Sequence, residues 1–387
     1  MNEEFYFTEE QLKALQALPL EEKIQTSLAK ILQTFSLTNG NIYVAYSGGK
    51  DSGVLLDIVA HAWSITKHRE KPLLIGFANT GMEYMGMIQF VKDFVELIEE
   101  RYSIKTRLII TNPKKTFKEI IVEDGYPVVS KMSAEHIRLI RNQLQLAGLA
   151  REEVEDHLAP TMANYEWFIK KGVSRWATVL LTTVKPDGSL VGKGHSKLAK
   201  RWLPLLWAPF KVSENCCKHL KKRPQREMGE AMGGASPILG TMADESWHRR
   251  FMYLKHGCVN VIGVGKVRTT PLGFWTAQDI YEYYYKFPEI PLFRAYGKAI
   301  KTDEGAYQLN GLMNRTGCKL CMFGCAYKDS GIHYLKDVEP HACEVALRPL
   351  DEGGFGYADV IEYLNTYCGC DIDLGQDGIQ LNIDLVN

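Results

Sequence analysis

Hydrophobic positions in this chain alternate between two rhythms, and the order of the rhythms predicts the fold. Residues 8–36 set Leu and Ile on one side and Glu and Lys on the other, the pattern of an amphipathic helix. Asn41-Ile42-Tyr43-Val44-Ala45-Tyr46 then reads as a short buried strand over 41–46. A helix over 52–66 follows, with Val54 to Ala60 as its apolar stretch. Leu73 to Ala78 reads as a second buried strand, residues 86–101 as an amphipathic helix, and Arg107 to Thr111 as a third strand. Strands alternating with helices imply a parallel sheet with right-handed crossovers.

Residues 133–210 interrupt this pattern, helical at first and then rich in Trp, Gly and Lys; they read as an inserted or capping subdomain. The sheet is expected to resume at Pro237 to Gly240 and at Asn260 to Val264. Thr276 caps a helix from Ala277 to Lys286, with Asp279 completing a variant capping box. The expected division is a helical segment over 1–40, a nucleotide-binding core over 41–132, the insertion over 133–215, the second half of the core over 216–290, and a C-terminal region over 291–387. The fold class is α/β, a parallel doubly wound sheet with an inserted helical subdomain and a C-terminal iron–sulfur region.

The first strand-to-helix junction carries the chemistry. Ser47-Gly48-Gly49-Lys50-Asp51-Ser52 lies between the strand and the helix. Glycines let backbone approach an anion, and free N–H groups at a helix start favour negative charge. Lys50 adds a point charge, Ser47 and Ser52 add hydroxyls, and Asp51 suits a magnesium ion. The run is not a Walker A loop, because Asp51 follows the lysine and the upstream glycine spacing is wrong. It resembles the PP-loop of the adenine-nucleotide α-hydrolase enzymes, which bind the pyrophosphate end of ATP. Ligands on such sheets sit at the carboxyl ends of strands. Asn79-Thr80-Gly81, after the second strand, shares that position. Adenine is expected at the strand ends, near Tyr43 to Tyr46 and Phe77 to Asn79.

Composition narrows the classes. The 387 residues are 45% apolar and 24% charged, with zero formal net charge, so no global field draws nucleic acid. The charge is uneven: Lys193 to Arg226 is basic, and beyond Arg348 there are eight acids with no Lys or Arg. The basic stretch suits either a phosphate-bearing partner or a solvated face. No apolar run reaches the about 18 residues of a membrane span. The acidic N-terminus lacks a signal-peptide pattern, so a cytoplasmic location is expected. Nine cysteines there point to metal or redox chemistry rather than disulfides.

Cys216-Cys217 is followed far downstream by Cys318-Lys319-Leu320-Cys321, with Cys325 close behind. A Cys-x-x-Cys turn brings two sulfurs to one side. Adjacent cysteines fit the separate corners of a [4Fe-4S] cluster better than one zinc ion; structural zinc and buried or redox thiols stay open. The ligand set is Cys216, Cys217, Cys318 and Cys321, with Cys325 as a substitute. Cys258 and Cys343 read as packing residues. Cys368-Gly369-Cys370 reads as a mobile redox pair or a nucleophile, with no basic neighbour in the sequence to activate it.

Several segments together resemble the phosphoadenosine phosphosulfate (PAPS) reductase superfamily. Cys216-Cys217-Lys218-His219-Leu220-Lys221-Lys222-Arg223-Pro224 is similar to its Cys-Cys-x-x-x-Lys-x-x-Pro segment. Gly240 to Arg249 resembles its Gly-x-Arg-x-x-Glu-Ser-x-x-Arg segment, and Pro271 to Ile280 its Pro-Leu-x-x-Trp-Thr-x-x-Asp-Val segment. Ile290-Pro291 and Gly317 to Cys321 complete the order. The match covers roughly 40–130 and 210–330. Asn79 stands where the family often has Asp, Met242 where it has Arg, and the reductases' C-terminal Glu-Cys-Gly-Leu-His segment is absent. The intact loop resembles ATP-cleaving members, including DNA-phosphorothioation enzymes.

The resemblance implies an ATP pyrophosphatase that adenylates a substrate for sulfur transfer, with Lys50, Asp51 and Arg249 in catalysis. Ser47, Gly48, Gly49, Ser52, Thr80, Gly81, Lys218, Glu245 and Ser246 would bind the nucleotide. Magnesium and ATP are the expected cofactors besides the cluster. Candidate partners are a sulfur donor such as a cysteine desulfurase, a thioredoxin-type reductant, and a nucleic acid acceptor. The alternatives are a reductase of adenylyl sulfate or PAPS using Cys368 or Cys370, and a non-catalytic nucleotide-binding subunit.

Overall fold

The computed structural model describes residues 6–192, 198–328 and 330–375. Residues 193–197, the start of the basic stretch, lie outside the described residues. The chain forms two compact units, Met1–Lys114 with Leu220–Cys318, and Lys115–His219 with Lys319–Asn387. Among the described residues the strands are β1 (Ile42–Ala45), β2 (Leu73–Ala78), β3 (Thr106–Thr111), β4 (Val128–Val129), β5 (Ser236–Leu239), β6 (Val259–Gly263), β7 (Lys266–Thr269), β8 (Ala299–Lys301), β9 (Tyr307–Leu309) and β10 (Met322–Phe323).

The first unit holds a six-stranded sheet in the order β3-β2-β1-β5-β7-β6. Neighbours from β3 through β7 pair in parallel, and β6 returns antiparallel to β7 along the edge. The protein is thus a mixed α/β structure around a predominantly parallel sheet. Successive strand residues point to opposite faces. Tyr43, Ala45, Leu74, Ala78 and Ile109 pack with Met228 and Met232 of the segment around helix Arg223–Ala231. Helix Lys50–Ser64 is buried along almost its whole length, against β1 and helices Leu20–Thr38, Met87–Tyr102 and Ala277–Lys286.

Three expectations change. The long first helix is two, Glu9–Gln16 and Leu20–Thr38, because Pro19 cannot continue a helix and caps the second instead. The apolar run at 260–264 is an exposed sheet edge rather than a buried strand: Val261 is 65% and Ile262 58% exposed. The position inside that edge belongs to β7, whose Lys266-Val267-Arg268-Thr269 buries only Val267 and Thr269. The remaining elements of the sheet fall within one or two residues of the sequence reading.

The second unit is largely helical. Helices Lys131–Leu146 and Met162–Lys170 flank Arg175–Thr182, and the 3-10 segment Lys200–Leu206 packs on Lys131–Leu146 and Tyr357–Cys368. Strands β4 and β10 form a short parallel pair there. Among the described residues no helix is long and apolar enough to cross a membrane.

A buried carboxylate ties the first unit's helices together. Asp57, 2% exposed, accepts from the hydroxyls of Tyr102 and Tyr283 and lies 3.4 Å from Arg101 Nε. Burial outweighs these partners and raises its carboxyl above the usual range. A raised folded pKa gives a stability contribution that is complete below the unfolded pKa and is lost as pH rises through the folded one. Stability is therefore expected to fall as pH rises above the usual aspartate range, and Asp57→Asn to flatten that fall in urea melts run as a pH series. An unchanged slope in the variant would assign the decline to another group.

Candidate functional site

The loop after β1 is shaped by its own side chains. Gly48 adopts the left-handed region at φ +73°, and a Cβ there would meet Met87 Sδ at 2.4 Å. Gly49 caps helix Lys50–Ser64 with no side-chain hydrogen bond. The first N–H groups of that helix therefore have no intrahelical partner, and they carry the positive end of the dipole. The helix starts at Lys50 rather than at 52, which places the lysine in the first turn. Ser52 Oγ donates to Gly49 O at 2.8 Å and accepts from Ser47 N at 3.2 Å. The two serine hydroxyls, 3.0 Å apart, thus staple the loop. Gly48→Ala is expected to cost about 1–2 kcal/mol through the left-handed backbone and to displace Met87. A melt within error of the parent would show that the loop tolerates a Cβ.

Lys50 is buried in the wall, 5% exposed. Its Nζ lies 2.9 and 3.1 Å from the two carboxylate oxygens of Asp51 and 5.9 Å from the Tyr281 ring centre. Tyr284 Oη donates to Lys50 O at 2.8 Å, fixing the turn from helix Ala277–Lys286. Of the aromatic run at 281–285, then, Tyr284 supports the loop and Tyr283 holds Asp57.

At the carboxyl ends of β1, β2 and β5 lies a cavity of about 610 Å³. Of the expected residues, Ser47, Gly49, Lys50, Asp51, Ser52, Thr80, Glu245 and Arg249 line it; Gly48, Gly81 and Ser246 are not among its lining residues. Ser246 instead caps helix Trp247–His256 by accepting from Arg249 N at 3.3 Å. Gly81 turns the backbone at φ +73° behind Thr80. Thr80, 4% exposed, donates to Glu83 Oε1 at 2.7 Å. Lys218 belongs to the second unit.

The sequence reading missed much of the wall. Lys221, Arg226, Arg268 and Arg315 join Lys50 and Arg249, against Asp51, Glu83 and Glu245. Six cations facing three carboxylates make a cleft for a polyanion. Arg249 contacts Glu245, and burial, then the positive charge of Arg315, pushes its guanidinium down, with Asp51 opposing. Two guanidiniums held near each other in the cleft wall are relieved by an anion between them. The missing arginine at Met242, itself 3% exposed, is thus covered by other cations. Lys221 and Arg226 come from the basic stretch, so at least that part of it faces the cleft.

The expected cluster ligands fall in both units. Cys318 lines the cleft, its Sγ 3.7 Å from Thr80 Oγ1. Cys216, Cys217 and Cys321 belong to the second unit. Among the described residues no three His, Cys, Asp or Glu side chains form a group able to hold a metal ion. The expected ligands are divided between the two units, and no step below passes through a cluster.

Residues 41–154 match the family model of the phosphoadenosine phosphosulfate reductase domain. No curated protein matches the chain. Among solved structures, the chain is similar to phosphoadenylyl-sulfate (PAPS) reductase from Candida auris in a phosphate complex, at 15% identity over 74% of this chain and 89% of that one, with a TM-score of 0.31. The matched segment, 41–154, begins at the loop-bearing strand and spans the expected first half of the core, so that part of the chain carries a phosphoadenosine phosphosulfate reductase domain.

Proposed function

We propose that the cleft of the first unit binds ATP and that the protein is a PP-loop ATP pyrophosphatase, adenylating an acceptor oxygen ahead of sulfur transfer. The observation that supports this reading best is the complete loop: Lys50 and a first helical turn without a side-chain cap meet in one wall of a cationic cleft. In the step proposed, an acceptor oxygen attacks the α-phosphorus and the bond to the β-phosphate oxygen breaks. The electron pair leaves with pyrophosphate. Lys50 and the loop N–H groups stabilise the charge that grows on that leaving group. Arg249 and Arg315 hold the α-phosphate oxygens. Magnesium, which accepts a carboxylate with substrate phosphates as ligands, would be held by Asp51 and would neutralise phosphate charge.

Reduction of adenylyl sulfate or PAPS is the second reading, and Cys318 favours it, because a thiol stands in the wall of the same cleft. There the thiolate would attack the sulfate sulfur and expel the nucleotide. A second thiol, from a thioredoxin-type reductant, would then release sulfite. Anaerobically prepared protein assayed for pyrophosphate release from ATP and magnesium, and in parallel for sulfite from adenylyl sulfate and PAPS, separates the two. Pyrophosphate release that survives Cys318→Ser supports adenylation. Sulfite formation without ATP, lost in Cys318→Ser, replaces it with reduction.

A further inference from the structure

The cleft wall holds a carboxylate oxygen that the fold leaves without a donor. Glu83, in the loop after β2, lines the cleft. Its Oε1 accepts from Thr80 N at 2.8 Å and from Thr80 Oγ1 at 2.7 Å. Thr80 Oγ1 in turn accepts from Met82 N at 3.1 Å, and Gly81 N donates to Asn79 Oδ1 at 2.9 Å, so residues 79–83 form one tight turn. Glu83 Oε2 is buried and has no hydrogen-bond partner among the described residues. Burying a carboxylate oxygen without a donor is costly, so the fold needs a reason to keep it. In a cleft whose cations suit a polyanion, a fixed carboxylate repels phosphate, and it can only be matched by a donor elsewhere on the ligand.

Contacts around the turn place it relative to the phosphate cradle. Thr316 Oγ1 stands beside Gly49, where a Cβ on that glycine would meet it at 3.7 Å. Cys318 Sγ lies 3.7 Å from Thr80 Oγ1. Two residues of chain span at most about 7 Å, so the segment from Thr316 to Cys318 keeps the turn close to the loop. On the other side lies the sheet. Ala45 of β1 pairs with Gly76 of β2, and both line the cleft with Ala78 and Met228. Small side chains there leave room for a planar base, while the loop takes phosphate. The ribose of an adenine nucleotide joins base to phosphate, which puts it at the end of β2, beside the turn.

We propose that Glu83 reads the ribose of the bound nucleotide, its Oε2 accepting from the 2′- or 3′-hydroxyl. Glu83 has this role only if the cleft binds an adenine nucleotide, the reading on which the assignment rests. The ionised phosphates of such a nucleotide only accept, so its donors are the ribose hydroxyls and the adenine amine. The amine lies at the far end of the base from the phosphates, and the turn lies close to the loop, which favours the hydroxyls. Dinucleotide sites use an acid on a ribose hydroxyl in the same way. A deoxy analogue would leave the carboxylate buried and unpaired, so the site discriminates for the ribonucleotide. Thr80 is the positioning residue: its two donors fix one oxygen of Glu83 and so aim the other.

The full-length protein and Glu83→Gln are titrated calorimetrically with ATP, 2′-deoxy-ATP, 3′-deoxy-ATP and inosine triphosphate, with and without magnesium. Glutamine keeps an oxygen for Thr80 and removes the charge. In the parent at least one deoxy analogue should bind about 10–100-fold more weakly than ATP, the range of a hydrogen bond to a charged group. In Glu83→Gln the gap should shrink to about fivefold or less, because a neutral hydrogen bond is weaker. Inosine triphosphate, which lacks the amine, should keep the same ratio to ATP in both proteins. Deoxy analogues that bind the parent as tightly as ATP, or a gap that survives Glu83→Gln, would overturn the assignment. So would a change confined to inosine triphosphate, which makes the amine the donor, or an equal loss for all four nucleotides that needs magnesium, which makes Glu83 a metal ligand. ATP that does not bind the parent removes the nucleotide reading itself, whereas ATP binding without a deoxy gap leaves that reading standing and removes only the ribose contact.

Discussion

Lys50→Ala is expected to lower ATP-dependent pyrophosphate release by about 10²–10³-fold while the protein stays folded. The side chain is held in the cleft wall by Asp51, and the backbone beneath it by Tyr284. Alanine is the best helix former, so the first turn of helix Lys50–Ser64 should survive the change. The chemistry should not. The loop would keep its N–H groups but lose the positive charge in its first turn, and Asp51 would be left with an unopposed negative charge beside the bound phosphates. Lys50→Arg should restore only part of the rate, because a planar fork does not replace a compact ammonium in a tight wall. The measurement is pyrophosphate release under saturating ATP and magnesium, with circular dichroism as the control for folding. Release at the parent rate would remove the loop from catalysis and the adenylation reading with it.

Lys23→Met should be the most damaging substitution away from the cleft, costing about 3–5 kcal/mol of stability. Lys23 is 1% exposed in helix Leu20–Thr38. Its Nζ donates at 2.7 Å to both oxygens of Asp279 and at 2.7 Å to Gln16 O. Asp279 also caps helix Ala277–Lys286, accepting from Thr276 N at 2.6 Å and Thr276 Oγ1 at 2.9 Å. Methionine fills the volume but leaves a buried carboxylate without its cation, which is where the penalty arises. Lys23→Met combined with Asp279→Asn should recover much of the loss, since asparagine still accepts from Thr276 and carries no charge. Urea melts of the parent, the single and the double variant measure both effects. A loss below about 1 kcal/mol in the single variant would mean that the pair behaves as a solvated surface bridge.

The same Thr276–Asp279 cap was legible in the sequence, whereas its pairing with Lys23 was not. Capping is a contact between residues three apart, so a local pattern announces it. Lys23 and Asp279 meet only once helices from the two ends of the first unit pack together. The sheet divides in the same way. β1 and β2 were readable because each is a central strand with a continuous apolar run, and β3, at the other edge of the sheet, because it carries Leu108-Ile109-Ile110. β7 was not, because it buries only Val267 and Thr269, while the neighbouring edge β6 imitates a core strand with Val261 and Ile262. An apolar run says that a segment suits a pleated surface, and does not say whether a neighbour covers it.

The candidate site follows this division. Ser47 to Ser52 was readable because a strand, a glycine turn and a helix start determine the anion cradle by themselves, through backbone conformation and unsatisfied N–H groups. Arg249 and Glu245 were readable through a motif. Arg268 and Arg315 were not, since an isolated arginine in a polar stretch looks the same whether it faces solvent or a ligand. The cysteines show the limit most clearly. Their spacing suggested one four-thiolate group, and it gave no sign that Cys318 also stands in the cleft wall beside Thr80. By itself the sequence determined the loop, its helix and the parallel core, all of which depend on contacts within a few residues or on the burial of continuous apolar runs. Only the tertiary structure decided which cations converge on the cleft and which strand lies inside the sheet edge, because those choices depend on strand order and helix packing between segments far apart in the chain.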